Sequence, residues 1–350
     1  MKKVFIAFAA LAMVFTSCSE DKKDNLQEQN VNMDDWYVYT DADVDEANKV
    51  GNEKLKSCYS MVNLNRLLNE NPGLERKMYN IEYQTRALIA AKKPSGTPGG
   101  GGGGNDGGGG DPPVGDGLDV INIPVVVHVV MQNPSIVTDG QISAQIDVLN
   151  EDFSAGNSDL SSVPSEFSGL VANTDIQFTL AKTNRVTNGT SAWSTNDAVK
   201  YASPVESPST QLNIWICNIS GGILGYAQFP GGPSATDGIV LLYSSLPGGS
   251  AAAYNLGRTA THEVGHYLNL RHIWGDGRCN RDDFVSDTPI SDAPNYGCPS
   301  YPTVNCRSTD MTMNYMDYTY DACMYMYSEG QKTRMRAVFA SGGPRASMLP

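Results

Sequence analysis

Apolar and polar positions along the chain predict two folded parts joined by a linker. Between residues 44 and 91 the apolar residues recur at helix-like spacings, with Pro72 and Gly73 interrupting the pattern. From residue 118 onward, β-branched runs alternate with a helical pattern. The stretch between them is rich in glycine and proline, which is typical of a flexible linker. We therefore predict a helical segment at 44–93, a linker at 94–117 and a larger domain at 118–350.

Strands and a backing helix are predicted in the larger domain. Residues 120–131 (VINIPVVVHVVM) form a run typical of a buried central strand. Residues 141–153 place their apolar side chains on one helix face, with Asp139 as a candidate N-cap, and the Gly/Pro-rich residues 221–233 are predicted to form a loop. Further strands are predicted at 175–181, 211–217 and 238–243. This order predicts an α/β (α+β) domain with helices packed on a twisted mixed sheet.

The N-terminus has the pattern of an export signal. Lys2 and Lys3 are followed by an apolar run and then by small residues up to Cys18. A cysteine at that place resembles a bacterial lipobox, so residues 1–18 are predicted to be a lipoprotein signal and Cys18 the acylated N-terminus. A plain secretory signal is the alternative. The polar residues that follow predict a flexible tether at 19–43 and a protein that is exported, either to the outer membrane and cell surface or as a secreted protein.

Charge and hydropathy limit the partners. The net charge of −13 argues against nucleic acid as a partner, because nucleic-acid binding calls for a basic face. No segment after the signal has the roughly 18 consecutive apolar residues of a membrane span. We therefore expect membrane contact only through a lipid on Cys18. The sequence leaves the oligomeric state open, and we expect a monomer.

The candidate metal-binding and catalytic residues lie in the segment HEVGHYLNLRH, which begins at His262. On a helix, His262 and His266 stand on one face and can bind one Zn²⁺. Glu263 lies beside the first ligand, where it can take a proton from a zinc-bound water. His272 is too far along a continuous helix to share the metal, so the chain must turn back, and Asn269 suits the left-handed conformation of such a turn. Three histidines leave a fourth position open, which is the catalytic pattern.

This HExxHxxNxxH segment, together with NYMDY at 314–318, resembles the metzincin metalloproteases and, among them, the pappalysin family. Asn269 stands where the family pattern has glycine. The resemblance extends over about 118–340 and implies a zinc endopeptidase that acts on polypeptides, with a backing helix, a zinc helix and a loop-rich lower subdomain. It implies that Met316 is an apolar floor beneath the histidines and that Tyr318 donates to the oxyanion. It also implies an edge strand that substrate extends as an antiparallel strand, a role we assign to residues 238–244.

Six cysteines remain when Cys18 is set aside. Four of them lie close together, and in an exported protein such a cluster predicts two disulfides with three possible connectivities. These four are Cys279, Cys298, Cys306 and Cys323. The family resemblance implies the pairs Cys279–Cys306 and Cys298–Cys323, which would staple the lower subdomain. Cys217 and His128 lie in apolar runs, and we expect both to be core residues.

Cys58 lies in the helical segment, in a context that resembles pappalysin propeptides. In these, a cysteine binds the zinc and blocks it, because a thiolate is a good zinc ligand. The resemblance thus implies a zymogen with Cys58 as the ligand of the latent form. The alternative is an inert buried cysteine or a disulfide partner for Cys217.

Two further expectations concern the lower subdomain and the function. The resemblance implies a Ca²⁺ site at Asp283, Asp287 and Thr288, and the alternative is a solvated acidic loop. Some pappalysins prefer arginine at the cut through an acidic residue just before the last disulfide cysteine. Here Ala322 occupies that place and Asp321 precedes it, so we do not expect that preference. The alternative function is a catalytically silent lipoprotein that binds zinc or peptide. The presence of Glu263 favours the protease.

Overall fold

The computed structural model describes residues 31–42, 57–91 and 116–349. The predicted signal with Cys18, nearly all of the linker and residues 43–56 lie outside them. The helices described are α1 Ser60–Glu70, α2 Leu74–Ala91, α3 Asp139–Phe153, α4 Ala198–Ala202, α5 Arg258–Tyr267 and α6 Glu329–Ala337. The strands described are β1 Ser57–Cys58, β2 Ile121–Met131, β3 Ile176–Thr187, β4 Leu212–Cys217, β5 Ile223–Ala227, β6 Ile239–Leu242, β7 Tyr296–Gly297, β8 Val304–Asn305, β9 Ser308–Thr309 and β10 Tyr318–Thr319. None of the described helices is both long and apolar enough to cross a membrane.

A mixed sheet forms the centre of the described domain, with the strand order β1-β5-β6-β4-β2-β3. Strands β2, β3, β4 and β6 run parallel to one another, whereas β5 runs antiparallel to β6. Within the larger domain β5 is therefore an edge strand. Strand β1, from the N-terminal part of the chain, extends the sheet by pairing parallel with β5. This mixed α/β architecture confirms the predicted fold class.

Helices α3 and α5 pack on one face of the sheet. Leu149 and Phe153 of α3 share one apolar core with Val125 of β2 and Val264 of α5. Helix α3 is capped by Thr138, whose hydroxyl accepts from the third helical residue while the side chain of that residue bonds back to the cap. The prediction that Asp139 is the N-cap was therefore wrong by one residue, because the threonine before it forms a complete capping box.

The structure corrects the predicted loop at 221–233, because strand β5 lies within it. Gly221 and Gly222 have φ values of 79° and 78° and turn the chain into this strand, a backbone that favours glycine. Strand β6 consequently lies inside the sheet, between β4 and β5. The prediction that residues 238–244 form the edge was wrong, since β5 occupies that position.

Loops dominate the chain between α5 and α6, where two disulfides connect them. The structure pairs Cys279 with Cys306 and Cys298 with Cys323, as the family resemblance implied. Cys217 is a free cysteine, fully buried in an apolar cluster with Trp215. It is therefore a small core residue, as expected.

Residues 31–42 pack on the larger domain together with α1 and α2. Their shared core consists of Val38, apolar side chains of both helices and Phe229 of the larger domain. The Tyr37 hydroxyl lies within hydrogen-bond distance of the carbonyl oxygens of Gly275 and Asp282 and can donate its proton to either. Its ring contacts the guanidinium groups of Arg271 and Arg281. The predicted tether at 19–43 is thus docked at residues 31–42, because apolar and aromatic side chains there find partners far along the chain.

Candidate metal centre and active site

Helix α5 carries the first two histidines of the candidate site, and all of its residues are buried. After the helix, Asn269 adopts a φ of 76°, the left-handed conformation that the sequence predicted. The amide of Leu270 then bonds to the carbonyl of Gly265 at 2.9 Å, so the chain folds back. This turn brings the third histidine, His272, to the first two.

The Nε2 atoms of the three histidines converge on one point. His266 Nε2 lies 3.1 Å from Nε2 of both His262 and His272. On the other side of each ring, Nδ1 contacts an oxygen. His262 Nδ1 lies 2.7 Å from Tyr315 O, and His266 Nδ1 lies 2.8 Å from Leu270 O. His272 Nδ1 lies 2.5 Å from Asp276 Oδ1. Because these oxygens accept hydrogen bonds, each Nδ1 carries the proton and each Nε2 presents a lone pair.

The three Nε2 atoms point their lone pairs at one another with no hydrogen between them, an arrangement that fits a bound cation. Two nitrogens on one tetrahedral Zn²⁺ at about 2.0–2.1 Å lie about 3.4 Å from each other, close to the separations found here. Burial, followed by the neighbouring His272, lowers the pKa of His262 to about 3, and burial lowers the pKa of His266 well below its usual value. Neutral imidazoles are the form that binds metal, so this donor set fits zinc.

The thiol of Cys58 belongs to the same group. Its Sγ and one nitrogen of each histidine all lie within 4.8 Å of one another. Strand β1 places the thiol there, since its pairing with β5 sets Cys58 opposite Gly225. Among the described residues, this is the only group of three or more histidine, cysteine and acidic side chains with converging ligand atoms.

Glu263 is fully buried next to this group. Its Oε2 accepts a hydrogen bond from Ser60 Oγ at 2.6 Å and lies 3.4 Å from Cys58 Sγ. Burial raises the pKa of Glu263 to about 7, and the hydrogen bonds from Ser60 and Cys58 oppose that rise. Strand β5 comes close at Gly225, where a Cβ would lie 3.0 Å from Glu263 Cγ and 3.0 Å from Val240 O. A glycine there leaves room for the carboxylate.

The turn around Met316 packs against α5. A Cβ at Gly265 would overlap the sulfur of Met316, so the helix and the turn meet at this glycine. The amide of Met316 bonds to Asn314 Oδ1 at 2.9 Å, which fixes the turn. The carbonyl of Tyr315 in the same turn is the acceptor for His262. The turn therefore fixes a histidine ring as well as supplying an apolar surface.

Tyr318 packs against the rings of His262 and His272. Its hydroxyl donates to the carbonyl oxygen of Cys58 at 3.1 Å. Its ring centroid lies 4.8 Å from His272 and 4.8 Å from Trp274, both in edge-on contact. The hydroxyl is thus aimed at a carbonyl group in the space next to the candidate metal.

Comparison with known proteins identifies the family. Residues 206–340 match the peptidase M43 family model, described as pregnancy-associated plasma protein-A. An extracellular metalloprotease of Coccidioides posadasii is 35% identical over 230 residues, which cover 63% of this chain and 77% of the relative. One from Colletotrichum graminicola is 34% identical over 233 residues, covering 63% and 76%. The chain belongs to the pappalysin-type metalloproteases.

Two solved structures extend the match to as much as 84% of this chain. Mature mirolysin of Tannerella forsythia, in complex with a cleaved peptide, is 43% identical with a TM-score of 0.64, covering 66% of this chain and 96% of that chain. A promirolysin mutant is 37% identical with a TM-score of 0.70, covering 84% and 97%. The proenzyme thus matches more of this chain than the mature form does. This pappalysin-type protease has the metzincin fold and is built as a proenzyme.

Sequence reasoning missed three residues of the site. Ser60 contacts Glu263, Asp276 bonds to His272, and Trp274 stacks on His272 with the ring centroids 4.3 Å apart. Asp276 could have been found, because a metal-binding histidine commonly donates its other nitrogen to a carboxylate. Ser60 has no local signal, since 203 residues separate it from Glu263.

The predicted calcium ligands contact different parts of the structure. Asp283 accepts from the Thr288 hydroxyl at 2.8 and 2.9 Å. Asp287 instead accepts from Ser328 Oγ at 2.7 Å and from the Gly330 amide at 2.8 Å, at the start of α6. The structure therefore offers a structural role for Asp287, and calcium at Asp283, Asp287 and Thr288 stays a prediction.

Ion pairs attach α1 and α2 to the larger domain, which we call the catalytic domain from here on. Glu82 of α2 accepts from Arg334 at 2.5 and 3.1 Å and from Arg86 at 2.8 Å, and both Glu82 and Arg334 are buried. Arg66 of α1 pairs with Asp197 of the catalytic domain. These ion pairs, together with the contacts of Cys58 and Ser60 with Glu263, hold the segment 57–91 against the candidate site. We call residues 57–91 the prosegment.

Proposed function

We propose that this protein is a zinc endopeptidase, exported as a latent zymogen, that cuts extended polypeptides once the prosegment is removed. The observation that carries the proposal is the convergence of three Nε2 lone pairs beside a buried carboxylate, with a prosegment thiol in the same group. His262, His266 and His272 would hold the metal. Cys58 would be a fourth ligand in the latent form only.

When bound, zinc supplies Lewis acidity, which lowers the pKa of water and polarises a carbonyl oxygen. Glu263 acts as the general base that takes the proton of the attacking water and passes it to the leaving amine. Its position next to His262 supports this role. Its Oε1 has no hydrogen-bond partner among the described residues and is available for the proton.

Tyr318 is the proposed hydrogen-bond donor to the scissile carbonyl oxygen. In the latent form its hydroxyl donates to the Cys58 carbonyl, so a donor already faces a peptide oxygen at this place. A substrate carbonyl bound there would accept the same hydrogen bond. That bond would strengthen as negative charge develops on the oxygen, which lowers the barrier to attack.

The substrate would bind along strand β5. The prosegment occupies this edge by pairing in the parallel direction. A substrate that adds an antiparallel strand runs in the opposite direction to the prosegment. The prosegment would therefore fill the cleft with its peptide groups reversed, which explains how it can block the site without being cut there.

Export agrees with the comparisons, because the fungal relatives are extracellular metalloproteases. We further propose that Cys18 carries a lipid that anchors the protein to the outer membrane or cell surface, with plain secretion as the alternative. Calcium at Asp283, Asp287 and Thr288 is part of the same proposal. The active species is proposed to be a monomer.

The test measures metal content and proteolysis together on the full chain after limited proteolysis in the linker. We expect equimolar zinc and cleavage of casein or a peptide library. Glu263→Ala should retain the zinc and abolish the cleavage, and Cys58→Ala should raise the activity of the uncleaved chain. A wild-type protein that binds equimolar zinc and cuts nothing would contradict the proposal and leave a silent binding lipoprotein.

A further inference from the structure

Asp197 of the catalytic domain binds an arginine side chain of the prosegment. Arg66 donates from Nη2 to Asp197 Oδ2, and within its own helix it bonds to Asn63 and Glu70 at 2.6 Å each. When the prosegment leaves, Arg66, Asn63 and Glu70 leave together. Asp197 then remains without the guanidinium that covers it in the latent form.

The catalytic domain holds the Asp197 carboxylate without help from the prosegment. Its Oδ1 lies 2.9 Å from Nζ of Lys200, which is fully buried and donates to Thr236 O at 2.7 Å. Asp197 has a φ of 65°, a strained backbone that the surrounding contacts maintain. One carboxylate oxygen therefore lies against the ammonium charge of Lys200 within the catalytic domain, and the other faces the place of α1.

Helix α1 covers the half of β5 that would bind the upstream part of a substrate. The prosegment pairs at Gly225 and then continues past Ala227, whose amide and carbonyl bond to Ser60 Oγ at 2.7 Å and Asn63 Nδ2 at 3.0 Å. A substrate antiparallel to β5 would place the residues before its scissile bond toward Ala227. Arg66 therefore occupies space next to those upstream residues.

We propose that Asp197 is a specificity-determining residue, which binds the cationic side chain of an arginine or lysine upstream of the scissile bond. The inference rests on the protease function proposed above. The chemistry of the partner is already present in the latent form, because Arg66 places a guanidinium on the same carboxylate oxygen. A planar guanidinium is well suited to a carboxylate, so arginine should be preferred over lysine.

The helix geometry limits the position of the preferred residue. Arg66 follows Ser60 by six residues, a rise of ~9 Å along α1, which an extended chain covers in about three residues. Ser60 itself bonds to Ala227, two residues beyond Gly225 along β5. The basic residue should therefore lie no more than about five residues before the cut. Because strand side chains alternate between faces, neighbouring positions should differ in this preference.

The test compares peptides that carry arginine, lysine, norleucine or glutamate at each position from about two to five residues before the cut, using enzyme activated from the full chain. The expected ratios refer to the position with the strongest preference. Wild type should show a kcat/KM about tenfold higher for arginine than for norleucine, the size of one charge-assisted hydrogen bond. Added salt should reduce this ratio. Asp197→Asn should bring the ratio close to one, and Asp197→Glu should restore part of it. Arg66→Gln is the matched control. It alters the same contact from the prosegment side, and because activation removes the prosegment, the kcat/KM ratio of the activated enzyme should be unchanged.

Two results would overturn the inference: a wild-type enzyme with no upstream preference for basic side chains, or an unchanged ratio in Asp197→Asn. Either would leave Asp197 as an anchor for the prosegment alone. Asp197→Asn leaves the Lys200 ammonium buried without its counter-ion, so the double variant Asp197→Asn/Lys200→Met is measured alongside in case the single variant does not fold. A wild-type enzyme that cuts no peptide at all contradicts the protease function instead, so the two failures are distinct.

Discussion

Ser60 Oγ donates a 2.6 Å hydrogen bond to Glu263 Oε2 and accepts one of 2.7 Å from the amide of Ala227. The prosegment therefore contacts the proposed general base as well as the histidines, because Ser60 follows Cys58 by two residues. A thiol beside the histidines and a hydroxyl on Glu263 would both occupy space that an attacking water needs. The proposed latency thus has two parts, and substitution of Cys58 alone should leave one of them in place.

Ser60→Ala removes the hydroxyl group that binds Glu263. In a Cys58→Ala background, we expect the uncleaved chain to become about tenfold more active when Ser60 is also replaced, because a hydrogen bond to a charged group is lost. The measurement is hydrolysis of a fluorogenic peptide before any activation. Asn69→Ala, at an exposed position on the same helix, is the control. Equal activity with and without the Ser60 substitution would show that the serine has no part in latency.

The Glu82–Arg334 pair predicts a pH dependence of prosegment docking. Burial alone would raise the pKa of Glu82, but the charges and hydrogen bonds of Arg334 and Arg86 outweigh burial and lower the pKa from 4.5 to about 2. The docked state therefore favours ionised Glu82. This stabilisation is fully present above pH 4.5, the usual pKa, and is lost as the pH falls from there toward 2. The shift corresponds to roughly 3 kcal/mol.

Glu82→Gln should therefore lower the unfolding free energy of the docked prosegment by roughly 3 kcal/mol near neutral pH and by progressively less in acid. The measurement is thermal or denaturant unfolding across this pH range, in a Glu263→Ala background so that the chain cannot cut itself. Glu75→Gln, exposed at the start of the same helix, is the control. A stability difference that does not shrink in acid would refute this account of Glu82.

The zinc segment was predictable because its constraints are local. The spacing of His262 and His266 on a helix, and the need to bring His272 back through Asn269, follow from helix geometry, and the structure shows both. The fold class also followed from the apolar runs, since a β-branched run such as β2 is buried along nearly its whole length.

Long-range contacts could not be predicted in the same way. Strand β5 has only five residues, among them Gly225, and follows a pair of glycines, so its composition indicated a loop. It is a strand because β6 and β1 pair with it on either side. Tyr37 likewise gave no local signal, since its hydroxyl contacts residues that lie 238 and 245 positions further along the chain.

Asp276 should tune the metal site from outside the ligand set. It accepts the hydrogen bond from His272 Nδ1 and so fixes the ring with Nε2 toward the other histidines. Asp276→Asn should weaken zinc affinity by about 10- to 100-fold while the fold is retained. Competition with a chelator measures this on the activated enzyme. Asp292→Asn, at an exposed position of the same subdomain, should bind zinc like wild type. Equal affinities for both variants would exclude a role for Asp276 in positioning His272.

The close approach of Gly225 to Glu263 leads to a separate prediction about this proposed general base. A Cβ at this position would lie 3.0 Å from Glu263 Cγ, 3.1 Å from Glu263 Oε1 and 3.0 Å from Val240 O. The backbone oxygen cannot move away easily, because β5 and β6 are paired there. The Glu263 side chain must therefore shift in Gly225→Ala, and a shift of about 1 Å at a catalytic group can cost about 100-fold in rate.

We accordingly expect Gly225→Ala to lower kcat by about 10- to 100-fold with zinc affinity unchanged, because the three atoms nearest to the new methyl group belong to Glu263 and Val240 and none to a histidine. Steady-state kinetics and chelator competition on the same activated preparation separate these two effects. Gly169→Ala is the control, since a Cβ there meets no atom within 4 Å. Loss of zinc affinity along with kcat would show that the substitution disturbs the helix itself. Unchanged kcat would show that Glu263 tolerates a close neighbour, and the proposed need for glycine at this strand would then be wrong.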